Sequence, residues 1–122
     1  MIEARGLART FRTRRGAVVA VAGVDIDVAP GELVGFLGPN GAGKTTTLRM
    51  LTTLLRPTAG SATVAGHDLA TDPAGVRRKI GYVGQSGGAG TDCLVGEELV
   101  VQARLYGIPA AEAHRRAAEL AP

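Results

Sequence analysis

The sequence predicts an α/β fold, with antiparallel strands at its start and a strand–loop–helix unit behind them. Three observations carry this. Leu33–Leu37 (LVGFL) is a short, almost wholly apolar run, as expected of a strand buried on both faces of a parallel sheet. A glycine-rich loop follows it directly, and Gly43–Leu55 then sets Leu48, Leu51, Leu54 and Leu55 at helical spacing. Ahead of both, Val24–Val28 (VDIDV) alternates apolar and acidic residues with the period of two of a half-exposed strand.

The remaining elements follow in order. Ile2–Leu7 and Val18–Val21 read as short strands around the arginine-rich turn RTRRG, and Pro30-Gly31 marks the next turn. The helix over Gly43–Leu55 is expected to stop at Arg56-Pro57, because a residue before proline is disfavoured in the α region. Ser61–Val64 is a small strand leading into the turn Ala65-Gly66. Asp72-Pro73 begins a helix, with aspartate as N-cap and proline at the first helical position. Ile80–Gly84 (IGYVG) is a further strand candidate; a glycine-rich loop and helices near Glu97–Tyr106 and Ala110–Leu120 complete the chain.

Composition narrows the function. A chain of 122 residues holds at most one small domain. Its net charge of +3 is too small to argue for a nucleic-acid partner, and Arg12, Arg14 and Arg15 read as a solvated turn. Cys93 is the only cysteine, so no internal disulfide can form, and a reduced, cytosolic setting fits best. No apolar run approaches the roughly 18–20 residues of a membrane span. The start, MIEARGLART, lacks the apolar core of a signal peptide. His67 and His114 have no partner at metal-ligand or triad spacing and are read as structural or exposed.

Chemistry concentrates in Gly38–Thr45, GPNGAGKT, which matches G-x-x-x-x-G-K-[ST] in full and sits between an apolar strand pattern and a helix start. Gly38, Gly41 and Gly43 allow the backbone to curl so that successive N–H groups point at phosphate oxygens, with Pro39, Asn40 and Ala42 completing the loop. The helix N-terminus adds roughly half a positive charge to that concavity. Lys44 is expected to reach the β- and γ-phosphates, the Thr45 hydroxyl to ligate Mg²⁺, and Thr46 to hydrogen-bond the α-phosphate. The alternative is a glycine-rich turn that binds nothing.

The segment GELVGFLGPNGAGKTTTLRMLTTLLRPTAGSATVAGHDL, with IGYVGQ downstream, resembles the N-terminal half of an ABC transporter ATP-binding subunit. The likeness is greatest to the daunorubicin-resistance type of drug exporter, and it runs from Ile2 to about Ile108. It implies a P-loop NTPase core of the ABC type over residues 1–90 and the start of a helical subdomain over 91–122. In that family a glutamine about forty residues past the P-loop ends a strand and forms the Q-loop. Gln85 holds this place, forty residues after Thr45, and the resemblance sets its side-chain oxygen near Mg²⁺ or the attacking water. Relatives often carry proline before it, whereas this chain has Gly84, which loosens the loop. The SGG of Gln85–Gly90 (QSGGAG) is therefore a glycine tail of the Q-loop and not the LSGGQ-like signature. The family also stacks an aromatic ring on adenine; of the aromatics before the P-loop, Phe36 belongs to the apolar strand, which leaves Phe11, alternatively a core-edge residue.

The resemblance further implies ATP and Mg²⁺ as ligands, a membrane-spanning permease, a second ATP-binding subunit as homodimer partner, and a place on the cytoplasmic face of the cell membrane. The signature, the Walker B strand and the switch histidine of the family find no match after Gln85. The expectation is an N-terminal fragment that binds ATP with negligible hydrolysis, folds marginally and associates. Three alternatives remain open: a P-loop small-molecule kinase, a soluble ABC protein without a membrane partner, and a non-catalytic remnant.

Overall fold

Apolar and β-branched residues dominate alternate positions over the first 28 residues, and they form one long hairpin where separate short strands were expected. The computed structural model describes residues 1–85 and 94–121. Strand β1 (Ile2–Thr13) pairs antiparallel with β2 (Gly16–Val28), so the Val18–Val21 and Val24–Val28 patterns belong to a single strand. The arginine-rich turn is tight: the Thr13 hydroxyl donates to the Gly16 carbonyl at 2.9 Å and accepts from the Arg15 N–H at 3.2 Å. Register shifts after Ala4, Leu7 and Arg9 bend the ladder, as bulges do. β3 (Ala59–Val64) joins the other edge of β1, and β4 (His67–Asp68) follows it, giving an antiparallel sheet of order β2-β1-β3-β4.

One face of this sheet is covered by helix α1 (Lys44–Leu51) and by α2 (Pro73–Lys79). Ala4, Leu7, Val21 and Ile26 of the hairpin are buried with Met50 and Leu51 of α1 and Val76 of α2. Leu7, Met50 and Val76 are fully enclosed, and each such side chain contributes about 1.5–3 kcal/mol relative to exposure. The cap on α2 is the one its sequence predicts: Asp72 accepts from the Gly75 N–H at 2.8 Å, and Pro73 is the first helical residue. α1 is shorter than its leucine spacing predicts. The Leu48 carbonyl accepts from both the Thr52 N–H at 3.0 Å and the Thr52 hydroxyl at 2.8 Å, and Thr53 leaves the helix at φ 64°.

Two expected strands differ. Leu33–Leu37 and Ile80–Gly84 lie outside the ladder, and Leu33 and Leu37 are 98% and 96% exposed where burial on both faces was expected. A parallel strand needs a parallel neighbour, and none pairs with Leu33–Leu37 among the described residues. Phe36 alone of this run packs partly on the core, beside an apolar cavity of about 490 Å³ lined by Ile26, Val34, Leu48, Leu51 and Val64.

The chain divides into two compact units, Met1–Tyr82 and Val83–Pro122. The second contains α3 (Val95–Leu105) and α4 (Ala110–Leu120), close to the predicted helices. α4 buries Ala113 and Ala117, four residues apart on one face, and packs on α3. Opposite that face Glu112 accepts from Arg115 at 2.7 Å and from Arg116 at 2.6 Å, which draws its carboxyl down to about 2.

Candidate functional site

The loop ahead of α1 takes its shape from its glycines. Gly41 and Gly43 adopt φ values of 85° and 86°, in the left-handed region that a side chain disfavours. Gly43 also has no room for one: a Cβ there would stand 2.6 Å from the Ala20 carbonyl oxygen and 2.9 Å from Val21 Cγ2 of β2. The end of the loop is thus pressed against the hairpin.

From this point the helix starts. The Gly43 carbonyl accepts from both the Thr47 N–H and the Thr47 hydroxyl, each at 2.8 Å, and Thr47 is buried. The N–H groups of Lys44, Thr45 and Thr46 precede the first intrahelical bond, so helix geometry leaves them free to donate outward. The Thr45 side chain is exposed and Thr46 is half-buried. Lys44 folds back over the loop, donating Nζ–H to the Pro39 carbonyl at 3.1 Å and to that of Gly38. A cation, orphan helix N–H groups and a free hydroxyl therefore share one concave turn. This donor set fits a polyphosphate: phosphate oxygens are stronger acceptors for Lys44 than the two carbonyls it now touches. The Thr45 hydroxyl suits a hard cation such as Mg²⁺, which takes oxygen ligands.

Phe11 lies near the end of β1, half-buried, opposite Val18. The guanidinium of Arg9 sits over its ring, 4.7 Å from the centroid. The same guanidinium donates to the Arg56 carbonyl at 2.7 Å, just beyond α1. Sequence reasoning missed Arg9; its signal was available, since residues two apart on a strand share a face. Gly38–Thr46 and Phe11 belong to the first unit, while Gln85 is exposed and belongs to the second. Residues 86–90 of the glycine tail, and Cys93, lie outside the described residues.

His67 has a partner that its sequence spacing did not reveal. Its Nδ1 lies 2.7 Å from Asp72 Oδ2, tying β4 to the start of α2. The Gly75 N–H, and secondly His67, hold the Asp72 carboxyl below the usual carboxylate range. This pair is structural, as is the contact of His114 Nδ1 with the Ala110 carbonyl at 2.7 Å.

A family model described as ABC transporter matches residues 21–121. Over 120 residues the chain is 48% identical to the doxorubicin resistance ATP-binding protein DrrA of Mycobacterium tuberculosis, covering 98% of this chain and 35% of that protein. It is 47% identical to the daunorubicin/doxorubicin resistance ATP-binding protein DrrA of Streptomyces peucetius, again over 98% of this chain and 35% of the relative. The chain thus spans about a third of the length of these curated relatives. Among solved structures, a dimeric ATP-binding cassette, MJ0796, bound to ADP and Pi has the same fold, with a TM-score of 0.82 at 24% identity over 98% of this chain and 55% of that one. An ATP binding subunit of an ABC transporter matches with a TM-score of 0.75 at 29% identity, over 95% of this chain and 47% of that one.

Proposed function

The chain belongs to the ABC transporter ATP-binding family, and from that premise we propose that it is the nucleotide-cradling part of a drug-exporter ATPase subunit. The observation that carries this reading is Lys44 folded over Gly38–Gly43 at the head of α1, beside donors that nothing in the helix uses. Backbone N–H groups of Gly41–Thr46 hold the phosphates, Lys44 neutralises the β- and γ-phosphates, and Thr46 donates to the α-phosphate. Thr45 and, by the family resemblance, Gln85 would hold Mg²⁺. When bound, the ion supplies charge neutralisation at the transferred phosphoryl group. The Gln85 amide can offer an acceptor to the metal and a donor to water without adding charge. Phe11 stacks on adenine.

In the whole protein, ATP binding and hydrolysis drive export of a small hydrophobic compound through a membrane-spanning permease. A second ATP-binding subunit completes the assembly on the cytoplasmic face of the membrane. The names of the doxorubicin-resistance relatives and the dimeric state of a structural neighbour support this reading. No helix among the described residues is long and apolar enough to cross a membrane.

Equilibrium binding of ATP with and without Mg²⁺ tests the cradle. Lys44→Ala is expected to weaken ATP by about ten- to a hundredfold, the loss of one charge-assisted hydrogen-bonding group. The 122-residue chain itself is expected to bind ATP with negligible turnover. Hydrolysis that survives Lys44→Ala, or ATP affinity unchanged by it, refutes the assignment.

A further inference from the structure

Arg9 is an arginine with its Nε buried and without a hydrogen-bond partner among the described residues, a costly state that calls for a reason. Its charged end has two contacts: the Phe11 ring at 4.7 Å and the Arg56 carbonyl at 2.7 Å. The second contact fixes the guanidinium to the segment that follows the P-loop helix. The first places it over one face of Phe11, the only aromatic in the hairpin sequence. Val21, the strand partner of Arg9, is also the residue that Gly43 presses against. Arg9 and Phe11 therefore lie on the sheet face that carries the phosphate loop.

We propose that Arg9 is a positioning residue for the adenine ring of ATP, closing one face of Phe11 and leaving the opposite face as the stacking platform. The proposal rests on the reading of Gly38–Thr46 and Phe11 as a nucleotide site. Its physical basis is twofold. An aromatic face carries negative charge, so two π faces repel in direct stacking; a guanidinium beneath draws that density away and favours a second ring above. The hydrogen bond to Arg56 also holds the ring at a set place relative to α1, which lowers the ordering cost of binding.

Inorganic triphosphate isolates the effect, because it fills the phosphate cradle without a base. Calorimetric titration of the chain with Mg²⁺–ATP and with Mg²⁺–triphosphate is compared for wild type, Arg9→Met, Arg9→Lys, Phe11→Ala and Arg9→Met/Phe11→Ala. Arg9→Met is expected to weaken ATP by about three- to tenfold, the range of a partly desolvated cation–π contact, and to leave triphosphate unchanged. Arg9→Lys keeps the charge without the planar fork and falls between. In the Phe11→Ala background Arg9→Met has no further effect on ATP. Equal weakening of both ligands, an unchanged ATP affinity, or independent effects at the two positions overturns the proposal while the cradle stands. Wild type that binds neither ligand overturns the cradle and the proposal together. If Arg9→Met fails to fold, Arg9→Lys decides by the same comparison.

Discussion

Gly41 and Gly43 form a matched pair for testing the geometry of the phosphate loop. Their φ values of 85° and 86° are nearly the same, but a Cβ at Gly41 meets nothing within 4 Å among the described residues, whereas one at Gly43 meets β2. Gly41→Ala therefore carries backbone strain alone. Forcing alanine into the left-handed region costs about 1–2 kcal/mol, and the less flexible unfolded chain returns about 0.4–1 kcal/mol, leaving a net loss of about 1 kcal/mol. Gly43→Ala carries the same strain and an added collision with the Ala20 carbonyl and Val21. Overpacking of this kind costs about 1–3 kcal/mol, for a total of about 2–4 kcal/mol.

Urea titration followed by circular dichroism measures both variants against wild type, and a lower midpoint with an unchanged slope identifies a stability effect. The Gly43 carbonyl also holds both the N–H and the hydroxyl of Thr47. Moving it displaces the first turn of α1, so ATP affinity of the folded variant falls further for Gly43→Ala than for Gly41→Ala. Equal destabilisation by the two substitutions refutes the close approach of the loop to β2.

The remaining expectations concern the rest of the chain. Asp72→Ala removes the α2 N-cap and is expected to destabilise by about 1 kcal/mol, whereas Asp72→Asn, an alternative cap, is expected to avoid most of that loss; thermal unfolding separates them. Asp72 and Glu112 both have folded-state pKa values below their unfolded ones. Their contribution is therefore present above the unfolded values of 3.8 and 4.5, and it is lost as pH falls, for Glu112 through about 2. Melting temperature measured from pH 6 to pH 2 should decline over that window, and Glu112→Gln should flatten the part that belongs to α4. Leu33 and Leu37 present apolar surface to solvent. The 122-residue chain should self-associate with rising concentration in sedimentation velocity, and Leu33→Ser/Leu37→Ser should reduce this without lowering the melting temperature.

Features encoded by neighbouring residues were legible in the sequence. Asp72-Pro73 caps α2 because the Asp72 carboxylate and the Gly75 N–H that donates to it lie three residues apart. Gly38–Thr45 shows its donor set because the motif contains both the glycines and the lysine. Contacts made across the fold were not legible. Arg9 meets Arg56 across 47 positions, and nothing in RTFRT announces it. His67 meets Asp72 only after Ala65-Gly66 and the Asp68–Thr71 turn have brought β4 against α2. α1 ends early where Thr53 turns to a φ of 64°, which leucine spacing alone does not announce.

Leu33–Leu37 shows where pattern and burial part. An apolar run states which surface a segment is suited to touch, and exposure depends on whether a partner strand is beside it. Phe36 reaches the core from within this run while Leu33 and Leu37 remain almost wholly exposed. The loop that follows does not depend on that pairing. Gly43 is braced by Ala20 and Val21 of the hairpin, the Gly43 carbonyl is held by Thr47, and Lys44 closes on Gly38 and Pro39. Each of these contacts lies within the hairpin, the loop or α1. The phosphate cradle is therefore held by antiparallel structure on its N-terminal side, and its glycine geometry stands where the strand leading into it has no ladder partner among the described residues.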